Sequence, residues 1–213
     1  MGFFIPRILI FVAGFAASVA SAGERTLLVL GDSLSTAYGI DAGSGWVSLL
    51  ERRLATQGYS YRILNASISG DTSRGARARL EALLDETRPD VAIVELGGND
   101  GLRGIPLDEL RANLEQIILR LRNAGSGVLL LSIKLPPNYG PAYTNGFEQI
   151  YLDLGAKFGV PVSGFLLNGV ALHDDLMQED GIHPTAKAQP LILENIWSDL
   201  EPMLEVAGPK GGP

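Results

Sequence analysis

The chain has 213 residues, a formal net charge of -7 and no cysteine. Without thiols there are no disulfides, so stability must come from the core alone, and a chain of this length can bury one. The acidic balance disfavours a nucleic-acid partner, whose binding rests on clustered Lys and Arg.

The chain opens with a short head carrying Arg7, an apolar stretch from Ile8 to Val19 and the small residues Ala20-Ser21-Ala22. This is the layout of an export signal with an A-x-A cleavage site. The apolar stretch has 12 residues, fewer than the roughly 20 that a membrane-spanning helix needs. We therefore expect residues 1–22 to be cleaved, a mature domain over 23–206, no stable membrane insertion afterwards, and a periplasmic or secreted location. Loss of Arg7 takes the net charge from -7 to -8.

From residue 23 onward, short apolar runs alternate with longer one-sided helical patterns. The runs are Thr26 to Leu30, Tyr61 to Leu64, Val91 to Leu96, Val128 to Ile133 and Val160 to Val162. Helical spacing joins Leu107, Leu110, Leu114, Ile117 and Leu121, and again Phe147, Ile150, Tyr151, Leu154 and Phe158. Continuous apolar strands between one-sided helices predict an α/β domain: a five-stranded parallel sheet with helices on both faces. No linker or internal repeat divides it, and 207–213, rich in Gly and Pro, read as a disordered tail.

In such sheets ligands bind beyond the carboxyl ends of the strands, and the chemically distinctive residues fall there. Gly31-Asp32-Ser33-Leu34-Ser35 follows the first run, Ser69-Gly70-Asp71-Thr72 the second and Gly97-Gly98-Asn99-Asp100 the third. Asp180-Gly181-Ile182-His183-Pro184 precedes the last helical segment. A serine becomes a useful nucleophile when a histidine takes its proton, and the histidine serves best when a carboxylate holds its other nitrogen. Ser33, His183 and Asp180 supply those three parts. Asx turns and helix caps would use the same residue types, but the chain has two histidines, and His183 sits against a proline with a carboxylate three residues upstream. The other, His173, reads as a solvated loop residue. Acyl transfer also requires donors for an oxyanion. The candidates are the Ser33 N–H, expected near a helix N-terminus, the Gly70 N–H and the Asn99 side-chain amide.

These blocks, in this order, resemble the SGNH, or GDSL, hydrolase superfamily. Longer stretches, Asn65 to Ser73, Leu96 to Gly104, Leu135-Pro136-Pro137-Asn138-Tyr139-Gly140 and Asp180 to Pro184, resemble its bacterial arylesterase, acyl-CoA thioesterase I and lysophospholipase L1 group. The resemblance implies a three-layer, flavodoxin-like fold and hydrolysis of esters and thioesters without metal or organic cofactor. It also implies Ser33 as nucleophile, His183 as base, Asp180 as its partner, and Ser33, Gly70 and Asn99 as the oxyanion hole. Pro137, Asn138 and Tyr139 are candidate substrate-binding residues, on a loop that with Tyr143 can cover an acyl chain. The expected partner is a small ester, thioester or lysophospholipid, and the expected state a monomer. Phe165 to Val170 and His173 to Gln178 depart from the family pattern. Two rivals remain from the residues themselves: a metal-dependent phosphoesterase using the Gly-Asp and Gly-Asn-Asp segments, and a non-catalytic ligand-binding module. Two-metal sites usually recruit several histidines, and no G-x-G-x-x-G loop follows the first strand.

Overall fold

Successive side chains on a strand face opposite sides of a sheet, and here the apolar runs divide accordingly between two cores. In the computed structural model of the protein, residues 25–206 are described; the expected signal peptide and the expected disordered tail lie outside them. Leu28, Leu30, Ala92, Val94, Val128 and Leu130 face one core, and Leu27, Val29, Val91, Ile93, Leu129 and Leu131 the other. The strands are β1 (Arg25–Gly31), β2 (Tyr61–Asn65), β3 (Val91–Glu95), β4 (Gly127–Ser132) and β5 (Val162–Phe165). They pair in the order β2-β1-β3-β4-β5 with every pairing parallel, the order of flavodoxin-like sheets.

The helices cover both faces. α2 (Ser73–Thr87), α4 (Leu107–Asn123) and α5 (Pro141–Phe158) fill the first core; α1 (Trp46–Thr56) and α6 (Gln189–Val206) fill the second. On α4 the buried stripe is Leu110, Leu114, Ile117, Ile118 and Leu121, each worth about 1.5–3 kcal/mol by removal from water. Asp108 and Glu109 in its first turn and Arg120 and Arg122 in its last complement the helix dipole. Thr72 caps α2, its hydroxyl accepting the Gly75 N–H at 3.3 Å.

Two expectations shift. The fifth strand begins at Val162 rather than Val160, because Pro161 lacks an N–H and contributes only its carbonyl, which accepts from Leu130. No helix starts at Ser33: α1 begins at Trp46. Ala37 (φ 60°) and Gly39 (φ 74°) are left-handed, so the segment after β1 forms consecutive turns instead. The sheet order reverses between β2 and β3, either side of β1, and that switch point is where the distinctive residues gather.

Candidate active site

Ser33 lies two residues beyond β1. The turn that carries it is tied on itself, with the Ser35 and Thr36 N–H groups donating to the Asp32 carbonyl and the Leu34 N–H to Asp32 Oδ1 at 3.1 Å. Trp46, fully buried at the start of α1, anchors the turn from outside. Its indole N–H donates to the Leu34 carbonyl at 3.1 Å, while its backbone N–H donates to Gln189 Oε1 at 3.0 Å at the start of α6. One aromatic residue thus joins the serine turn to the helix that follows the histidine loop.

That loop is a narrow hairpin. Met177 bridges Pro184, the Gln178 N–H donates to the His183 carbonyl at 2.7 Å, and the Thr185 N–H donates to Leu176. Gly181 turns the chain at φ 65°, a conformation that favours glycine. The Gln178 amide donates to the Tyr38 carbonyl at 2.8 Å and to the Pro184 carbonyl at 3.0 Å, fixing the hairpin to the serine segment. His183 Nε2 lies 2.9 Å from Ser33 Oγ, and Nδ1 lies 2.6 Å from Asp180 Oδ2. A ring protonated on Nδ1 donates to Asp180 and accepts the Ser33 hydroxyl proton on Nε2. Asp180 Oδ1 accepts the Ile182 N–H at 2.9 Å and the His183 N–H at 3.0 Å. Desolvation is the largest single influence on the Asp180 carboxyl and pulls it upward. The bonds from the His183 ring and from the His183 and Ile182 N–H groups outweigh it and hold the carboxyl at about 2. Asp180 is therefore ionised across the neutral range. The Tyr38 ring lies against the His183 ring at 4.4 Å between centroids.

The other two blocks come to the same place. After β2 the chain continues to pair with β1, the Ala66 N–H donating to Val29 and the Ile68 N–H to Gly31. Thr36 Oγ1 and Ser69 Oγ share a bond of 2.7 Å, which sets Gly70 (φ 79°) beside the serine turn. Arg103 holds the Gly70 carbonyl at 2.8 Å. Asn99 sits in the short helix α3 (Gly98–Leu102) and donates one amide N–H to Asp32 Oδ2 at 2.9 Å, leaving the second N–H free of that bond. Neither the Ser33 nor the Gly70 backbone N–H bonds to another described residue.

Pro137, Asn138 and Tyr139 form a single helical turn after β4, with Pro137 and Asn138 exposed. The tyrosines beside them act as ties: Tyr139 Oη donates to Leu102 O at 2.9 Å and Tyr143 Oη to Ile105 O at 2.8 Å. His173 is exposed. Sequence reasoning passed over Glu95, Asp32 as a buried acid, Tyr38 and Gln178. Glu95 had a legible signal, a lone carboxylate ending the apolar run Val-Ala-Ile-Val. Tyr38 and Gln178 had none, since their placement depends on left-handed turns. Among the described residues, no group of three or more His, Cys, Asp or Glu side chains is arranged to hold a metal ion.

Similarity to known proteins follows the same blocks. The chain is 51% identical over 183 residues to esterase TesA of Pseudomonas aeruginosa, covering 86% of this chain and 91% of that protein. It is 40% identical over 200 residues to thioesterase 1/protease 1/lysophospholipase L1 of Escherichia coli K12, covering 94% of this chain and 93% of that protein. The crystal structure of the psychrotrophic esterase EstA from Pseudoalteromonas superposes with a TM-score of 0.81 at 39% identity, covering 85% of this chain and 99% of that one. The profile of the GDSL-like Lipase/Acylhydrolase family matches residues 29–190, and the chain belongs to that family.

Proposed function

We propose that the protein hydrolyses carboxylic esters and thioesters through an acyl-enzyme on Ser33. The observation that carries this reading is the unbroken hydrogen-bond chain from Ser33 Oγ through both nitrogens of His183 to Asp180. His183 takes the Ser33 proton as Oγ attacks the carbonyl carbon, and the resulting imidazolium sits against the ionised Asp180. The Ser33 N–H, the Gly70 N–H and the free Asn99 N–H stabilise the oxyanion. The imidazolium then protonates the departing alcohol or thiol, and water repeats the sequence to release the acid and restore Ser33.

Apolar side chains beside this chain suit a hydrophobic acyl or aryl group. Tyr38 and Ile68 are 51% exposed and Ile182 is 43% exposed, and they stand on the segments that carry Ser33, Gly70 and His183. The turn bearing Pro137, Asn138 and Tyr139 belongs to a further wall of the same cleft in this reading. The names of the relatives, esterase, arylesterase and thioesterase/lysophospholipase, support substrates of this class. The export-like leader supports action in the periplasm or outside the cell. No described helix is long and apolar enough to cross a membrane.

Hydrolysis of p-nitrophenyl esters from acetate to palmitate, by the protein and by Ser33→Ala with a strong chelator present, tests the reading. Activity that survives the chelator and is lost in the variant supports it. Equal activity in both proteins overturns the serine mechanism, and loss on chelation would make the ester hydrolysis metal-dependent.

A further inference from the structure

Glu95 closes β3 directly beneath the serine turn and is fully buried. Its Oε2 accepts the Asp32 N–H at 3.1 Å and the Ser35 hydroxyl at 2.8 Å. Its Oε1 has no hydrogen-bond partner. Space around it is tight: a Cβ on Gly31 would lie 2.8 Å from Glu95 Oε2, 2.8 Å from Ser35 Oγ and 2.9 Å from Ser67 Oγ. Ser67 Oγ is likewise buried and unbonded. Asp32 is 2% exposed, and its carboxylate is the better solvated of the two by protein donors, with Leu34 N–H on one oxygen and the Asn99 amide on the other.

We propose that Asp32 and Glu95 are a carboxyl pair holding one proton, carried by Glu95, and that Glu95 is a positioning residue for the serine turn and, through Asp32, for the Asn99 amide. A buried carboxylate needs donors on both oxygens, and two adjacent buried carboxyls do not both ionise. Asp32 has donors on both; Glu95 has them on one. A neutral Glu95 accepts both donors on Oε2 as its carbonyl oxygen and carries its proton on Oε1, where the unpaired hydroxyl costs less than the unpaired charged oxygen of an ionised carboxylate. The groups that meet Glu95 from neighbouring segments are Asp32 and Ser35 after β1, with Ser67 after β2 beside them; the Tyr151 phenol of α5 interacts electrostatically with Glu95 at a distance, and His183 acts on Asp32, the charged member of the pair. Burial first, and then the Asp32 charge, push Glu95 well above the ordinary carboxylate range. The pair's role follows from its bonds. Glu95 fixes the backbone of Asp32 and the side chain of Ser35, on either side of Ser33 and Leu34, and the anchored Asp32 carboxylate directs one Asn99 N–H inward so that the other faces the reacting carbonyl.

The kinetic part of this inference rests on the esterase reading; the proton count does not. In denaturant titrations between about pH 5 and 8, the unfolding equilibrium constant of the wild type should rise with pH relative to Glu95→Gln, by up to about tenfold per pH unit for as long as the folded wild type keeps the proton that the unfolded chain has released. An unchanged ratio across that range means Glu95 is ionised in the fold and overturns the pair. With p-nitrophenyl butyrate, Glu95→Leu should lower kcat about 10²-fold with little change in KM, the scale of one misplaced oxyanion donor, and Glu95→Gln should restore most of that loss by reproducing the neutral acid. Wild-type kcat in a folded Glu95→Leu, or equal losses in the Leu and Gln variants, overturns positioning by a neutral acid. Activity retained in Ser33→Ala would signal failure of the esterase reading instead, with the proton-linkage result unaffected.

Discussion

The Asn99 amide has one N–H on Asp32, and in the proposed mechanism the other meets the oxyanion. An interaction formed only as charge develops affects kcat more than binding. Asn99→Ala should therefore lower kcat by about 10²–10³-fold with KM nearly unchanged; a rise in KM at constant kcat would make Asn99 a ground-state binding group. Asp180→Asn asks a different question, since an amide there can hold the ring in the wrong tautomer. A loss of about 10⁴-fold in kcat is expected, with folding intact because Asp180 lies on an exposed hairpin. A loss below tenfold in esterase assays would show that the His183 ring is held by its other contacts, the Tyr38 ring and the hairpin backbone. Ser33, His183 and Asp180 could be picked out as candidates because acyl transfer restricts residue type and because their motifs follow the order of the family they resemble. Glu95 stood out as a carboxylate ending an apolar run, but its burial was not legible, because such a residue reads as the strand's solvated edge until the turn folds over it.

At the level of elements, the site depends on α3 lying close to β3. Gly97 joins them at φ 117°, and a Cβ there would lie 2.2 Å from the Tyr151 hydroxyl, which donates to the Leu96 carbonyl. Gly97→Ala should cost about 2–4 kcal/mol through left-handed strain and this clash. The double variant Gly97→Ala/Tyr151→Phe should recover the part due to the clash; chemical denaturation of the three proteins measures it, and strictly additive losses would rule the clash out. A second joint lies between α3 and α2, where Asp100 accepts the Ser73 N–H at 2.8 Å and the Ser73 hydroxyl at 2.5 Å, and Asn113 of α4 donates to that hydroxyl. Asp100→Ala should cost about 2–4 kcal/mol by stripping a buried network, and a change under 0.5 kcal/mol in the same titrations would mean the site is hydrated. Helices α4 and α5 and four of the strands could be read from apolar spacing, because burial on one face writes a period into the sequence. The start of β5 and the turns after β1 could not: a missing proline N–H and left-handed residues at Ala37 and Gly39 act through backbone geometry, which side-chain polarity does not report.

For the whole molecule, the buried acids determine how stability follows pH. Asp180 is depressed to about 2, so its contribution is present above its unfolded value and is lost as pH falls through the range from about 4 to about 2. Desolvation, the leading cause in each case, raises Glu95, Asp32 and Asp100 above their ordinary values. The sign for these three is opposite: their contribution is complete below the unfolded value and declines as pH rises toward each folded value. The acidic chain, at -7 overall, adds self-repulsion that grows over the same interval and is weakened by salt. The carboxylates that are ionised and bonded, Asp153 with Gln149 and Arg111, Asp175 with Lys187 and Glu194 with Arg53, are solvent-facing pairs of small weight and do not reverse the trend. The melting temperature should therefore be highest near pH 5 and fall steadily toward pH 9, while about 0.5 M salt removes only the part due to surface repulsion. Circular dichroism melts across that range at low and high salt check this. A melting temperature that climbs from pH 5 to 8 would mean that Glu95 too is ionised in the folded protein, and a decline abolished entirely by salt would assign it to the surface.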